Sequence, residues 1–349
     1  MKYKTCFFSL VLGAASMIFV QLSLSILSVR YHWQHTNSTI KTYATTRRTA
    51  NQNVTMQPTT VKSGALSGNL SALFSKWRLK KSTDLLLTIG NIGRMGNWMF
   101  QYASLLGIAA KNDRRPFVPL SNPLLKHFKL SFVESHNKKP NWVTLSEQCY
   151  ACYDSKMEKL PKKNISLSKY LQSWRYFEDI RELVRREFTF KPSIDRAAME
   201  KFKQLFQNKT KPVIAVHVRR TDMTTPTETR MGYVTAPLSY VQNAMTYMRR
   251  RYGNVTFLLA SDDVKWCREK FAKSHDVIVI DKGDAAVDMA TMSLCDHMIM
   301  TVGTYSWWTA WLINGHTVYF KDYPNPGKTI SRGFKKEDHF LPGWVPLGS

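Results

Sequence analysis

Between Val213 and Phe320 the sequence alternates in a way that few folds can use. Short apolar runs, PVIAVHV, VTFLLASDD, DVIVID, HMIMTVGT and HTVYF, take turns with longer helical segments. Those segments are SYVQNAMTYMRRRYG, which Gly253 stops, then VKWCREKFAKSH, AAVDMATMSLCD and YSWWTAWLING. Parallel strands need a crossover between them, so strict alternation specifies an α/β fold with a parallel sheet. HTVYF reads as the last strand, and no internal repeat is visible. In such sheets the ligand sits beyond the carboxyl ends of the strands. Here those ends read HVRRTD, ASDD and TVGT.

The first half has a different rhythm. Order begins near Asp84 with DLLLTIG, a buried-strand signal, followed by WMFQYASLLGIAAKN, which suits a buried helix. An irregular stretch holds Pro116, Pro119, Pro123 and Pro140. Beyond it Phe177, Ile180, Val184 and Phe188 recur at helical spacing. A chain of 349 residues has room for one large domain or two smaller ones. We place the boundary near Lys191–Lys211, giving subdomains at 83–205 and 206–349.

The leading residues specify a compartment. Cys6 to Val29 is 24 residues without a charge. As a helix it spans about 36 Å, enough for a bilayer. Lys2 and Lys4 precede it, which favours a cytoplasmic N-terminus. We therefore expect a cytoplasmic tail at 1–5, a signal anchor at 6–29, a flexible stem at 30–82 and a lumenal body. A long cleaved signal peptide is the other reading. The stem is rich in Thr, Ser and Asn and lacks a sustained hydrophobic period. Six N-x-[ST] sequons, at Asn37, Asn53, Asn69, Asn164, Asn208 and Asn254, agree with a lumenal body. Cys149, Cys152, Cys267 and Cys295 lie beyond the anchor, and an even number in an oxidising compartment suggests two disulfides with three pairings open.

The formal net charge is +25. No acidic residue precedes Asp84, so 11 of these positive charges lie in the leading stretch, yet the remainder is still basic. That suits a phosphate-bearing ligand. Nucleic acid is not expected, because no nucleic-acid module is present.

Three strand ends carry the chemistry. In HVRRTD, Arg219 and Arg220 fall just past the strand with His217 and Asp222 beside them. Planar guanidinium groups bind phosphate bidentately, so the pair could hold a diphosphate and stabilise it as a leaving group. A salt bridge between Arg220 and Asp222 is the plainer reading. In TVGTYSWW, Thr301, Thr304 and Ser306 could donate to phosphate or sugar while Gly303 permits close approach; a Thr304 helix cap is the alternative. In ASDD, Asp262 or Asp263 could accept from a ribose hydroxyl or a guanine edge, or cap a helix. GNIGRMGNW adds Gly90, Gly93 and Gly96 between strand and helix. It is neither the dinucleotide fingerprint nor a Walker loop, but it lets backbone approach a ligand near Arg94 and Asn97. No D-x-D pair occurs, so arginines stand where many sugar-nucleotide enzymes hold a metal.

Taken together, these stretches resemble the galactoside α-1,2-L-fucosyltransferase family, glycosyltransferase family 11. The resemblance runs from Leu85 to Leu347 through GRMGNWMFQYA, SWRYFEDIRELVRREFTF, HVRRTD, LLASDDVKWC, DMATMSLCDHMIMTVGTYSWWTAWL and EDHFLPGWVPL. Thr221 stands where the family usually has glycine, and Met223 where it usually has an aromatic. The resemblance implies a GT-B-like fold of two facing Rossmann-like domains, acceptor side first and donor side second, in a type II Golgi membrane protein. It implies GDP-β-L-fucose as donor, a terminal β-galactoside as acceptor, and an inverting reaction with no cofactor and no metal. On this reading Arg219 and Arg220 stabilise the departing diphosphate with help from Thr301 and Thr304. Asp262 meets the guanosine, and His217 orders the loop or touches the donor. Asp222 is a base or orients an arginine; beside two arginines it should be a poor base. The rival expectations are a Golgi sulfotransferase, a protein O-fucosyltransferase, and an inactive glycan- or polyanion-binding membrane protein.

Overall fold

The computed structural model describes residues 84–349, apart from 135–139 and Asn208, together with Leu73, Ser75, Trp77 and Leu79. The expected tail and anchor, and the sequons at Asn37, Asn53, Asn69 and Asn208, lie outside the described residues. Among the described residues no helix is long and apolar enough to cross a membrane. One expectation is corrected at the end of the stem. Trp77 is buried, with its ring edge-on to Phe132 at 4.9 Å. An indole that finds an aromatic partner leaves water, so the folded body begins before residue 83.

Four strands of the first half, β1 (Leu86–Ile89), β2 (Arg115–Pro116), β5 (Val143–Ser146) and β6 (Ile165–Ser168), form a parallel sheet in the order β2-β1-β6-β5. The proline-rich stretch between them makes a two-strand pair, β3 (Val118–Pro119) and β4 (Val133–Glu134). Helix α1 (Met95–Lys111) follows β1 and is buried from Met99 to Ala109, as its long apolar stretches require. Phe177, Ile180, Val184 and Phe188 are all buried, but only part of that segment is α-helix, α2 (Arg181–Glu187). The stretch expected to hold the boundary carries a helix of its own, α3 (Pro192–Leu205).

The second half contains the alternation read from the sequence. Strands β7 (Val213–Val218), β8 (Thr256–Ser261), β9 (Val277–Val279), β10 (His297–Met300) and β11 (Thr317–Phe320) are joined by a sixth, β12 (Val345–Leu347). HTVYF is therefore not the last strand. The sheet is parallel throughout, in the order β12-β11-β10-β7-β8-β9. Helices α4 (Pro226–Met231), α5 (Leu238–Tyr252), α6 (Val264–Phe271), α7 (Ala285–Met292), α8 (Thr304–Ile313) and α9 (Lys336–His339) fill the connections.

This order contains the switch point that positions the site. The chain moves from β7 through β8 to β9 in one direction, then returns to place β10 on the other side of β7. Connections on the two flanks of β7 diverge, which opens a crevice between the carboxyl ends of β7 and β10. HVRRTD and TVGT leave the sheet at those two ends.

Side chains alternate across the sheet, as strand geometry demands. Val213 and Ala215 of β7 enter one apolar layer with Leu258, Met298 and Met300. Ile214, Val216 and Val218 enter the other with Leu259 and Ile299. The first layer is continuous with the core of the first half, where Phe100 of α1 meets Trp307 and Trp308 of α8 at ring distances of 4.5 and 5.0 Å. Phe100 is fully buried, worth about 1.5–3 kcal/mol. Both sheets belong to one compact unit.

Those layers also decide the thiols. Cys149 and Cys152 bond to each other, whereas Cys267 and Cys295 are free and buried. Cys267 lies in one layer and Cys295 in the other, with the sheet between them. The expectation of two disulfides is therefore corrected to one among the described residues. Burial pushes the Cys267 thiol up to about 11 and that of Cys295 higher still.

Candidate active site

The residues after β7 are held by hydrogen bonds reaching in from both neighbouring strands. From the β10 side, Thr301 Oγ1 accepts from Arg219 N at 3.1 Å and donates to His217 O at 3.0 Å. From the β8 side, the Asp262 carboxylate accepts from Arg220 N at 2.8 Å, Thr221 N at 3.1 Å and Thr221 Oγ1 at 2.6 Å. One expected ligand contact is corrected here: Thr301 is almost fully buried, so it shapes HVRRTD rather than reaching outward. Asp262 is half-buried and holds the same loop from its other side. The departure at Thr221 supplies one of the bonds to Asp262, and Met223 is buried in the core.

The two arginines have different partners. Arg219 makes a two-point contact with Asp222, Nε at 3.0 Å from Oδ1 and Nη2 at 2.7 Å from Oδ2. The same carboxylate is bonded by Arg94 from the first half of the chain. The expected Arg220–Asp222 bridge is thus replaced by an Arg94–Asp222–Arg219 triad. Hydrogen bonds from Arg219, with the charges of Arg219 and Arg94, hold Asp222 below the ordinary carboxylate range. A carboxylate so stabilised is a poor proton acceptor and a good clamp. Arg220 instead lies over the Trp266 ring, 4.0 Å from its centroid, with Nε 3.4 Å from Asp263. Asp263 also caps α6 through Trp266 N. Trp266 carried no signal of this role, because a tryptophan near a strand end reads as core.

Two helix N-termini converge beside Arg219. Gly303 precedes α8 with φ +92° and ψ 157°, a conformation essentially reserved for glycine. A Cβ there would overlap Arg219 Nη1 and lie 3.2 Å from its Cδ, so the guanidinium rests directly against the glycine. Gly96 brings the start of α1 against the start of α8, since a Cβ at Gly96 would lie 2.6 Å from the Thr304 carbonyl carbon and from Tyr305 N. Asn97 Oδ1 joins the two turns by accepting from Thr304 Oγ1 at 2.9 Å and from Gln172 Nε2 at 2.9 Å. Thr304 is therefore not a cap but the first residue of α8, and its hydroxyl faces Asn97 rather than an open crevice. Gly93, at φ +81°, gives the turn into α1 its shape, packed close to Asn97. Neither helix has a side-chain cap. Uncapped N–H groups and dipoles from two helices beside Arg219 and Arg94 make a site for an anion with more than one charge.

His217 lies beneath this floor. Ser306 Oγ donates to Val302 O at 3.1 Å and meets His217 Nδ1 at 2.6 Å. That hydroxyl has one proton, so His217 donates from Nδ1. Burial pushes the imidazole down to about 4, so it is neutral at working pH. Ser306 is fully buried, which corrects the expectation that it contacts a ligand. Of the described sequons, Asn254 is exposed, while Asn164 is half-buried and uses its Oδ1 to accept from Leu86 N at 2.9 Å.

Residues 47–348 match glycosyl transferase family 11, a span that begins earlier than Leu85. The galactoside alpha-(1,2)-fucosyltransferase 2 of Rattus norvegicus is 32% identical over 276 residues, 75% of this chain and 77% of that one. The galactoside 2-alpha-L-fucosyltransferase SEC1 of Bos taurus is 31% identical over 275 residues, 76% of this chain and 74% of that one. Among solved structures, a FUT1 mutant of Arabidopsis thaliana in complex with GDP is similar at a TM-score of 0.48 and 11% identity, over 75% of this chain and 76% of that one.

Proposed function

The chain belongs to glycosyl transferase family 11, and from that premise we propose that it transfers L-fucose from GDP-β-L-fucose to the 2-hydroxyl of a terminal β-galactoside. The observation that carries this reading is the seat of Arg219. Its guanidinium lies against Gly303, at the switch point, where the uncapped starts of α1 and α8 meet. A nucleoside diphosphate is the ligand chemistry that uses all of these donors together.

The reaction is a single displacement with inversion. The acceptor oxygen forms a bond to the fucose anomeric carbon on the face opposite GDP. The bond to the diphosphate breaks, and its electron pair leaves with GDP. Arg219, Arg220 and the helix N-termini meet the charge that develops on the departing oxygens. Asp222 orients Arg219 and is not the base. The acceptor proton passes to solvent water once the bond to GDP is largely broken, when the attacking hydroxyl has become acidic. His217 orders the loop as a neutral ring. The arginines take the place of a metal, and we expect turnover without one.

The two parallel sheets fit the GT-B-like plan, with the first half on the acceptor side and the second on the donor side. The uncharged Cys6–Val29 stretch, the sequons and the basic charge support a type II Golgi membrane protein with a lumenal body.

The test is to offer GDP-fucose and a panel of β-galactosides to the purified full chain in EDTA. Fucose on the galactose 2-hydroxyl is the expected product. GDP binding without transfer to any acceptor would leave the donor site standing and remove the reaction. Absence of GDP binding would remove both.

A further inference from the structure

Arg219 and Arg220 are held in opposite ways. Arg219 is gripped along an edge, since Asp222 takes its Nε and Nη2. Arg220 is gripped on its face. Its guanidinium carbon lies over the Trp266 ring, 4.0 Å from the centroid. A nitrogen aimed at the ring from that height would come within about 2.7 Å of its centre, nearer than packed atoms approach. The cation therefore lies across the ring and spends no N–H on it. Its side-chain hydrogen bond, from Nε to Asp263 Oδ2 at 3.4 Å, is on the side opposite the fork of the two Nη atoms. Among the described residues neither Nη of Arg220 has a hydrogen-bond partner. The side chain is only 22% exposed, so donors left over there point to a ligand that accepts from them.

The ring is itself fixed. Trp266 is in the first turn of α6, where its N donates to Asp263 Oδ1 at 3.2 Å. Asp263 N in turn donates to Ser261 Oγ at 2.9 Å, at the end of β8. The indole is half-buried and packs against the apolar layer that holds Val218 and Cys267. One carboxylate thus sets both partners: Oδ1 places the turn that carries the ring, and Oδ2 meets the cation lying on it. The root of Arg220 is fixed as well, because its backbone N is bonded to Asp262. An arginine held at root and tip loses little rotamer freedom when an anion arrives. We propose that Trp266 is a positioning residue of the donor site, a platform that holds the Arg220 guanidinium flat and presents its Nη1–Nη2 edge to the diphosphate. This rests on reading the crevice as the GDP site. Trp266 acts through Arg220 and touches no substrate.

The experiment measures GDP affinity by titration calorimetry on the full chain. It compares the unmodified protein, Trp266→Leu, Trp266→Phe, Arg220→Met, and Arg220→Met combined with each Trp266 variant. Losing the aromatic face should weaken GDP about three- to thirtyfold in Trp266→Leu. Trp266→Phe keeps a smaller ring and should fall between that variant and the unmodified protein. In the Arg220→Met background neither Trp266 variant should add more than about twofold, because the ring acts through the guanidinium. Acceptor KM should stay within about twofold throughout. If a thermal melt shows that Trp266→Leu does not fold, Trp266→Phe in the same two backgrounds supplies the cycle. Unchanged GDP affinity in Trp266→Leu, an equal loss in Trp266→Phe and Trp266→Leu, or the same loss with and without the Arg220 guanidinium would each overturn the proposal. If the unmodified protein bound no GDP, the donor-site reading would fall, and this proposal with it.

Discussion

Gly303→Ala is the smallest change that should disable the donor site. The backbone there, at φ +92° and ψ 157°, costs a non-glycine residue about 1–3 kcal/mol. The added methyl must also share space with Arg219, since it would overlap Nη1 and sit 3.2 Å from Cδ. The side chain can yield only by leaving the anion site, because its backbone N is fixed by Thr301 and its Nε by Asp222. Losing one charge-assisted contact to a diphosphate costs about 1.5–3 kcal/mol, or roughly ten- to a hundredfold in GDP affinity. The strain should lower the melting temperature by about 2–4 °C per kcal/mol. Gly90→Ala is the control, because no atom lies within 4 Å of a Cβ there and its φ is ordinary. Calorimetric titration with GDP and a thermal melt read both effects. If Gly303→Ala bound GDP as tightly as the Gly90→Ala control and melted with it, Arg219 would not be seated where we place it.

Arg219→Lys and Arg220→Lys should each lower turnover roughly ten- to a hundredfold or more, since a point charge lacks the fork that engages two oxygens; near-normal turnover in both would remove the leaving-group role. Asp222→Asn should cost about tenfold through a misplaced Arg219, rather than the up to about 10⁴-fold expected for a lost general base, with pH–rate profiles of the same shape in both proteins. His217, His297 and His339 are all pushed by burial down to about 4, whereas unfolded histidine titrates near 6.5. Between those values the unfolded chain binds more protons than the folded one, so stability should fall as pH drops from about 6.5 toward 4, and a flat melting temperature across that window would refute it. Peptide mapping should find Cys149 bonded to Cys152, with Cys267 and Cys295 alkylated only after denaturation.

The alternating strands were legible because their period and length leave little choice, and the strand ends because charge next to an apolar run is rare. What could not be read was the direction in which a polar side chain turns. Thr301 and Ser306 have the right chemistry for a ligand, yet both turn inward, Thr301 to hold the HVRRTD loop of the neighbouring strand and Ser306 to meet the ring of His217. Side-chain direction at a strand end depends on what the neighbouring strand offers, and that neighbour is some forty to eighty residues away in sequence. Helix α3 was missed because only Ala198 and Phe202 of it are fully buried. Strand β12 was missed because it is three residues long, lies at the sheet edge and contains Pro346.

The switch point has a consequence for how such a protein can vary. After β8 the chain leaves the site, builds α6, β9 and α7, and then returns to lay β10 against β7 with Met300 opposite His217. That excursion begins and ends at fixed points, so its length is decoupled from the height at which Arg219 and Gly303 face each other. Insertions at its far turn, around Ser274, would enlarge the molecule without shifting either residue. The chain can therefore gain new surface there while its donor site stays the same.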